Sequence, residues 1–249
     1  MVLDVYGASD IGCVRSLNED SFCIYGFEEE QFPGFCVLSD GMGGHNAGEV
    51  ASQKTVQFVA ESLMETMAAE RKELPKAMQC AVKDANERVF RMAVTNQGQQ
   101  GMGATLVIAA VAQDEVYIAN VGDSRAYAYR NGELMQITRD HSVVEEMLAN
   151  GSITQEEARV HPQRNIITRA IGTDPIVEPD LFEYDYLAGD TLLLCSDGLS
   201  GMLENEEIKR ILDENRTAKQ TVSAFLEAAK KKGGQDNITA ICIRFMQEG

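Results

Sequence analysis

The sequence predicts an α+β fold in which helices pack on the outer faces of largely antiparallel sheets. Three observations predict it: short apolar runs come in blocks, helical patterns come in pairs, and the two do not alternate strictly as βαβ units would require. A Rossmann or TIM-barrel enzyme is thereby disfavoured. No Pro/Ser/Gly-rich linker, low-complexity tract or internal repeat interrupts the 249 residues, so one domain spanning 1–249 is expected.

Residues 22–27 and 35–39 are apolar runs of strand length, the second ending directly at Asp40-Gly41. Val50, Val56, Phe58, Val59, Leu63 and Met67 then recur near the helical period. Leu74, Met78, Ala81, Val82, Ala85 and Val89 do so again, which predicts a helical hairpin. Strands follow at 105–112, 115–121, 126–130 and 134–137, the last two joined by the hairpin signal Asn131-Gly132, and the block is expected to form an antiparallel meander. A mostly polar region continues to about residue 179. In it, one short helix closes at Asn150-Gly151 and another opens at Thr154, whose capping box is completed by Glu157. Strands return at 181–186 and 191–196, and helices at 205–214 and 217–232, the latter opening on the capping pair Thr217 and Gln220. A strand at 238–245 closes the set.

Lysine and arginine number 22 against 39 aspartates and glutamates, a formal charge of −17. Such a charge repels phosphate backbones and anionic lipid, which argues against nucleic acid and membrane surfaces as partners. Met1-Val2-Leu3-Asp4-Val5 lacks the basic and apolar regions of a secretory signal, and the longest uncharged apolar stretch, 105–112, is too short to span a bilayer. A cytoplasmic protein is expected. The six cysteines form no C-x-x-C pair, and Cys36, Cys195 and Cys242 lie inside apolar runs, so they read as reduced, structural thiols.

Three aspartates share one local setting, at Ser39-Asp40-Gly41, Gly122-Asp123-Ser124 and Ser196-Asp197-Gly198, each where an apolar run gives out. Asp236 precedes the last strand, and Asp20 the first. Singly, each is explained as a turn or cap residue. Five at strand edges point instead to one shared site, because anions buried close together without a cation cost several kcal/mol each. A carboxylate and carbonyl donor set without matching His or Cys selects a hard ion, Mg²⁺ or Mn²⁺, over zinc. Two such ions clamp phosphoryl oxygens and lower the pKa of a water, which is the chemistry of a metal-dependent hydrolase. Arg15, four residues before Glu19, offers the bidentate fork that suits phosphate, and His45, five residues past Asp40, is a candidate proton donor. Without the neighbouring motifs, the preferred readings are a surface ion pair for Arg15 and an ordinary helix-start residue for His45.

At these residues the sequence resembles the PP2C (PPM) family of metal-dependent protein serine/threonine phosphatases, in particular its compact bacterial members. The ordered motifs are Arg15-Ser16-Leu17-Asn18-Glu19-Asp20, Ser39-Asp40-Gly41-Met42-Gly43-Gly44-His45, Gly101-Met102-Gly103-Ala104-Thr105, Gly122-Asp123-Ser124-Arg125, Ser196-Asp197-Gly198-Leu199 and Asp236-Asn237-Ile238-Thr239. The resemblance implies a four-layer α-β-β-α sandwich with the metal site in a cleft at one end. It implies that Asp40 bridges two ions, that Asp197 and Asp236 complete the first, and that the Gly41 carbonyl with Glu19 or Asp20, partly through water, completes the second. Asp123 and Asp197 then hold a weaker third ion, Arg15 binds the phosphate and His45 protonates the leaving group.

Ala104 departs from the hydroxyl residue of many relatives, and a local packing difference is expected there. Residues 142–171 correspond to the family's variable flap; His141 and His161 read as structural loop histidines. The implied partners are phosphoserine and phosphothreonine proteins and a cognate Ser/Thr kinase, with the chain acting as a monomer. A catalytically silent phosphoprotein-binding module is the alternative, disfavoured because every expected ligand is present.

Overall fold

A strand that is apolar at every position needs cover on both faces, and this chain supplies two different covers. The computed structural model describes residues 2–27, 34–44, 47–69, 74–112, 115–214 and 216–247. Its strands are β1 (Val2–Asp10), β2 (Asp20–Tyr25), β3 (Gly34–Met42), β4 (Gly103–Ala104), β5 (Leu106–Val111), β6 (Glu115–Val121), β7 (Arg125–Arg130), β8 (Glu133–Gln136), β9 (Asp180–Asp185), β10 (Thr191–Cys195) and β11 (Ile238–Met246). The helices are α1 (Ala47–Ala69), α2 (Leu74–Thr95), α3 (Val143–Ala149), α4 (Gln155–Val160), α5 (Asp197–Ser200), α6 (Asn205–Asp213) and α7 (Ala218–Lys231).

Two antiparallel sheets result, one ordered β1-β11-β10-β7-β8 and the other β2-β3-β5-β6-β9, with β4 paired to β3. Alternate residues of each central strand face different layers. Phe35, Val37, Leu106 and Ile108 pack beneath α1 and α2, while Cys36, Leu38, Val107 and Ala109 meet the opposite sheet. Leu193, Cys195, Ala240 and Cys242 likewise pack under α6 and α7, while Leu192, Leu194, Ile241 and Phe245 point inward. The architecture is therefore helix pair, sheet, sheet, helix pair, the expected α+β sandwich. The buried stripe Leu74, Ala77, Met78, Ala81, Val82, Ala85 and Val89 recurs at three- and four-residue steps, which is why α2 lies flat on its sheet.

Local signals hold where they are strong. Asn131 (φ 51°) and Gly132 (φ 82°) form the β7–β8 turn with two positive φ values. Thr154 and Thr217 cap α4 and α7 with complete capping boxes. The cysteines are free, with Cys36, Cys195 and Cys242 buried. Among the described residues no helix is long and apolar enough to cross a membrane.

The expected meander is corrected. β5 and β6 pair in one sheet, whereas β7 and β8 belong to the other, so the chain crosses between sheets at Gly122-Asp123-Ser124. Hairpin signals specify a local pair but not which sheet it joins. Strand β1 was not anticipated at all: its residues are mostly half-buried, and its place at a sheet edge comes from pairing with β11, distant in sequence.

Leu38 lies wholly buried between the sheets. Leu38→Ala is expected to lower unfolding stability by about 2–5 kcal/mol in a urea titration; a loss below about 1 kcal/mol would mean that the inter-sheet layer collapses freely around the vacated volume.

Candidate metal centre

Antiparallel order brings strand ends and strand starts to the same end of the sandwich. β3, β6 and β10 run out there, and β2, β7 and β11 begin there: Asp20 is paired with Asp40, and Cys195 with both Arg125 and Ala240. Directly opposed residues of an antiparallel pair share a face, so Asp20 and Asp40 stand side by side. Asp197 follows β10, Asp236 precedes β11, and Asp123 sits in the link between the sheets. All five aspartates singled out in the sequence meet at this end, with Asp40 in the field of the other four.

Their charges are in conflict. Burial, and then the neighbouring carboxylates, push Asp40 well above the usual carboxylate range. Burial pushes Asp123 up to about 8, with Asp197 as the next cause. Asp20 rises to about 7 through burial, although hydrogen bonds from Thr239 and Ser196 oppose the rise. Asp197 is raised by burial and by Asp236, and a hydrogen bond with Asp40 holds it back. A hydrogen bond between two carboxyl groups needs a proton on one of them, a positive charge that a cation among the same oxygens could supply instead. Burial also raises Glu19.

The donor chemistry fits a hard divalent ion. Among the described residues Glu19 Oε1, Asp20 Oδ1 and Asp197 Oδ1 are buried without a hydrogen-bond partner. Such orphaned oxygens are costly, and a cation satisfies them. The backbone is shaped to let them converge. A Cβ on Gly41 would lie 2.0 Å from the Gly48 carbonyl oxygen, and one on Gly198 would lie 2.0 Å from that of Asn237. Gly41 N–H donates to the Glu19 carbonyl at 3.0 Å, which joins the two loops.

A tighter acidic triad, Glu115, Glu183 and Asp185, brings its oxygens within 4.8 Å of one another on the β6–β9 pair, and no three carboxylates of the cleft do so among the described residues. We favour the cleft nonetheless. The triad is half-exposed to exposed, and water solvates its charge, whereas the cleft oxygens are orphaned in the interior.

A second set of side chains holds the carboxylates, and sequence reasoning passed over it. Ser196 Oγ and Thr239 Oγ1 both donate to Asp20 Oδ2, at 2.8 and 2.6 Å. Asp40 N–H donates to Thr105 Oγ1 at 2.9 Å, and Thr105 N–H to the Asp40 carbonyl at 2.8 Å. Asn237 accepts from Glu19 N–H at 2.8 Å and donates to the Ile11 and Leu17 carbonyls, tying the Arg15 loop to β11. One signal was available: Ser196-Asp197-Gly198 and Ser39-Asp40-Gly41 repeat the same tripeptide, and both serines are fully buried.

Arg15 reaches the cleft, its Nη2 donating to Asp236 Oδ2 at 2.7 Å with half of the side chain exposed. His45 lies outside the described residues. Ala104 is buried and joined to Ile171 by two backbone hydrogen bonds of 3.0 and 2.8 Å. His161 ends α4 and accepts from Gln163 N–H at 3.2 Å. His141 is buried against the Asp123 turn, more tightly held than a loop histidine need be. Beside Asp123 and Asp197 a cavity of about 380 Å³ opens between α3 and α4 on one side and the α5–α6 region on the other.

The family model for protein phosphatase 2C matches residues 14–241. The serine/threonine phosphatase stp of Listeria innocua is 40% identical over 244 residues, 97% of this chain and 96% of that protein. The solved structure of the S. agalactiae serine/threonine phosphatase superimposes with a TM-score of 0.91 at 35% identity, covering 98% of this chain and all of the other. The catalytic domain of the phosphatase PstP in complex with two manganese ions has a TM-score of 0.85 at 35% identity over 99% of each chain.

The raised carboxyl values carry a stability consequence for metal-free protein. An unfolded aspartate releases its proton near pH ~3.9, whereas folded Asp20 and Asp123 hold theirs to about 7 and 8. The native state thus binds more protons across that interval, so this stability is complete below the unfolded value and is lost as pH rises through the folded ones. In EDTA the melting temperature is expected to fall between pH 5 and pH 8, with a shallower fall in Asp123→Asn. A wild-type slope equal to that of the variant would contradict the assignment.

Proposed function

This chain belongs to the protein phosphatase 2C family, and from that premise we propose that its cleft hydrolyses phosphoserine and phosphothreonine monoesters in proteins. It is a metal-dependent protein serine/threonine phosphatase of bacterial type. The observation that carries the site reading is that Glu19, Asp20 and Asp197 each bury an unpartnered carboxylate oxygen at the end of the sandwich where Asp40 lies in the field of Asp20 and Asp197.

Asp40, Asp197 and Asp236, together with the Gly41 carbonyl and Glu19 or Asp20, would hold two ions, Mn²⁺ or Mg²⁺, and Asp123 with Asp197 would hold a weaker third. When bound, the ions clamp phosphoryl oxygens and acidify a water for attack at phosphorus. Arg15 supplies the phosphate fork: its half-exposed guanidinium rests on Asp236 at the cleft, within reach of a bidentate hold on a phosphate entering there. His45 protonates the departing serine or threonine alkoxide. The segment 142–171, which carries α3 and α4 beside the cavity, acts as a flap over the protein substrate. The same reading includes a cytoplasmic monomer working against a Ser/Thr kinase.

Phosphothreonine-peptide hydrolysis is expected to require added Mn²⁺ or Mg²⁺, to stop in EDTA, and to be lost in Asp40→Ala and Asp236→Ala. Turnover that persists in EDTA would sink the reading, and phosphopeptide binding without metal-stimulated phosphate release would turn it into the silent-module alternative. Arg15→Ala should raise KM or lower kcat/KM by roughly ten- to a hundredfold, the effect of about 1.5–3 kcal/mol for a hydrogen bond to a charged group, with metal affinity retained.

A further inference from the structure

We propose that His141 is the positioning residue for the Asp123 limb of the metal centre, acting as the neutral imidazole that carries its proton on Nε2. This rests on the reading of Asp123 as a ligand of the third ion.

Asp123 must be held next to Asp197, a group of like charge, at the point where the chain leaves one sheet for the other. The turn that carries it is exacting. Gly122 has φ +103°, and a Cβ there would come within 2.8 Å of the Thr105 side chain. Neither polar group of the Gly122 backbone enters a strand ladder, so each needs a partner from elsewhere. His141 supplies both. Gly122 N–H donates to His141 Nδ1 at 3.0 Å, and His141 N–H donates to the Gly122 carbonyl at 2.9 Å. Buried Asn120 adds a third contact, its Nδ2 donating to the Gly122 carbonyl at 3.3 Å.

The tautomer follows from these partners. A nitrogen that accepts from a backbone N–H cannot carry a proton, so the imidazole proton sits on Nε2. Nε2 lies 3.2 Å from Asp180 Oδ2, within ion-pair distance but not aligned as a hydrogen bond, and the other oxygen of Asp180 accepts from Arg169 Nη1 at 2.6 Å. The tautomer is therefore set by the Gly122 N–H alone, with the carboxylate lending Nε2–H a favourable field; a supporting residue that fixes an orientation in this way is familiar from the surroundings of metal ligands. Here it acts one step further out, through the backbone of the turn rather than through the ligand itself.

The same residue joins both ends of the segment 142–171. The chain enters that segment at His141, and on leaving it Thr168 N–H donates to the His141 carbonyl at 2.8 Å while Arg169 grips Asp180. The base of this segment and the Asp123 turn are therefore anchored on the same residue.

Calorimetric titration with Mn²⁺ of wild type, Asp123→Ala, His141→Leu, His141→Gln and His141→Asn tests the proposal. The amide oxygen of asparagine stands where Nδ1 stands, and that of glutamine does not. Asp123→Ala is expected to abolish the weakest binding event; His141→Leu and His141→Gln should weaken that event by about tenfold or more and leave the tighter events unchanged, and His141→Asn should restore it.

If Asp123→Ala leaves every event intact, the third-ion reading falls and takes the proposal with it. If Asp123→Ala removes the event while His141→Leu binds like wild type, or if Asn rescues no better than Gln, only the His141 proposal falls. Should the leucine variant fail to fold, long-range ¹H–¹⁵N spectra of the wild type still decide: a proton on Nε2 is expected, and one on Nδ1 overturns the assignment.

Discussion

Carboxylates driven into the same low-dielectric cleft cannot all keep their charges unless something positive joins them, and most of the structure near this end of the sandwich follows from that constraint. Asp40 lies in the field of Asp20, Asp197, Asp123 and Asp236. Without cations, the cluster retains protons at pH values where ordinary carboxylates have long lost them. The arrangement is a destabilising one in isolation. It persists because the rest of the fold is rigid enough to hold it, and the same repulsion is what a divalent ion placed among these oxygens would relieve.

Rigidity comes from two sources. The apolar layers beneath the cleft are covered on both faces, so the strands that deliver Asp40 and Asp197 cannot tilt away from each other without opening a void. Above them, short polar side chains fix the loops: Thr105 clamps the Asp40 backbone on both its N–H and its carbonyl, Ser196 and Thr239 pin one oxygen of Asp20, and Asn237 gathers the Arg15 loop. One oxygen of Asp20 is thereby satisfied while the other is left bare, which is how a protein aims a carboxylate at an ion instead of at itself. The glycines at 41 and 198 serve the same end, since any side chain there would collide with a backbone carbonyl.

Much of this was legible beforehand, and the misses are instructive. The helix pairs, the capping boxes at Thr154 and Thr217 and the Asn131-Gly132 turn are encoded within a few residues, so periodicity and turn chemistry recover them. Strand β1 escaped because an edge strand is defined by its partner: Val2–Asp10 has no strong alternation of its own and is ordered by β11, more than 200 residues away. The meander failed for a related reason. Nothing local in Gly122-Asp123-Ser124 records that the chain changes sheets there, yet that crossing is what delivers Asp123 to the cleft. The supporting hydroxyls were passed over because Ser and Thr at strand ends are common, and only their partners distinguish them.

What the sequence determined by itself is an inventory of groups: carboxylates at Asp20, Asp40, Asp123, Asp197, Asp236 and Glu19, a guanidinium at Arg15, and alternating or continuous apolar runs that commit the chain to layered sheets. Those properties reside in single side chains and short spacings, and so survive without a structure. Tertiary structure alone decided which oxygens are bare, which are pinned, and that His141, beyond the β7–β8 hairpin, grips the Asp123 turn. These outcomes depend on burial and on contacts between residues far apart in the chain, as with Thr239 and Asp20, separated by 219 positions. No local pattern encodes such distances, because they are set by how two sheets close on one another.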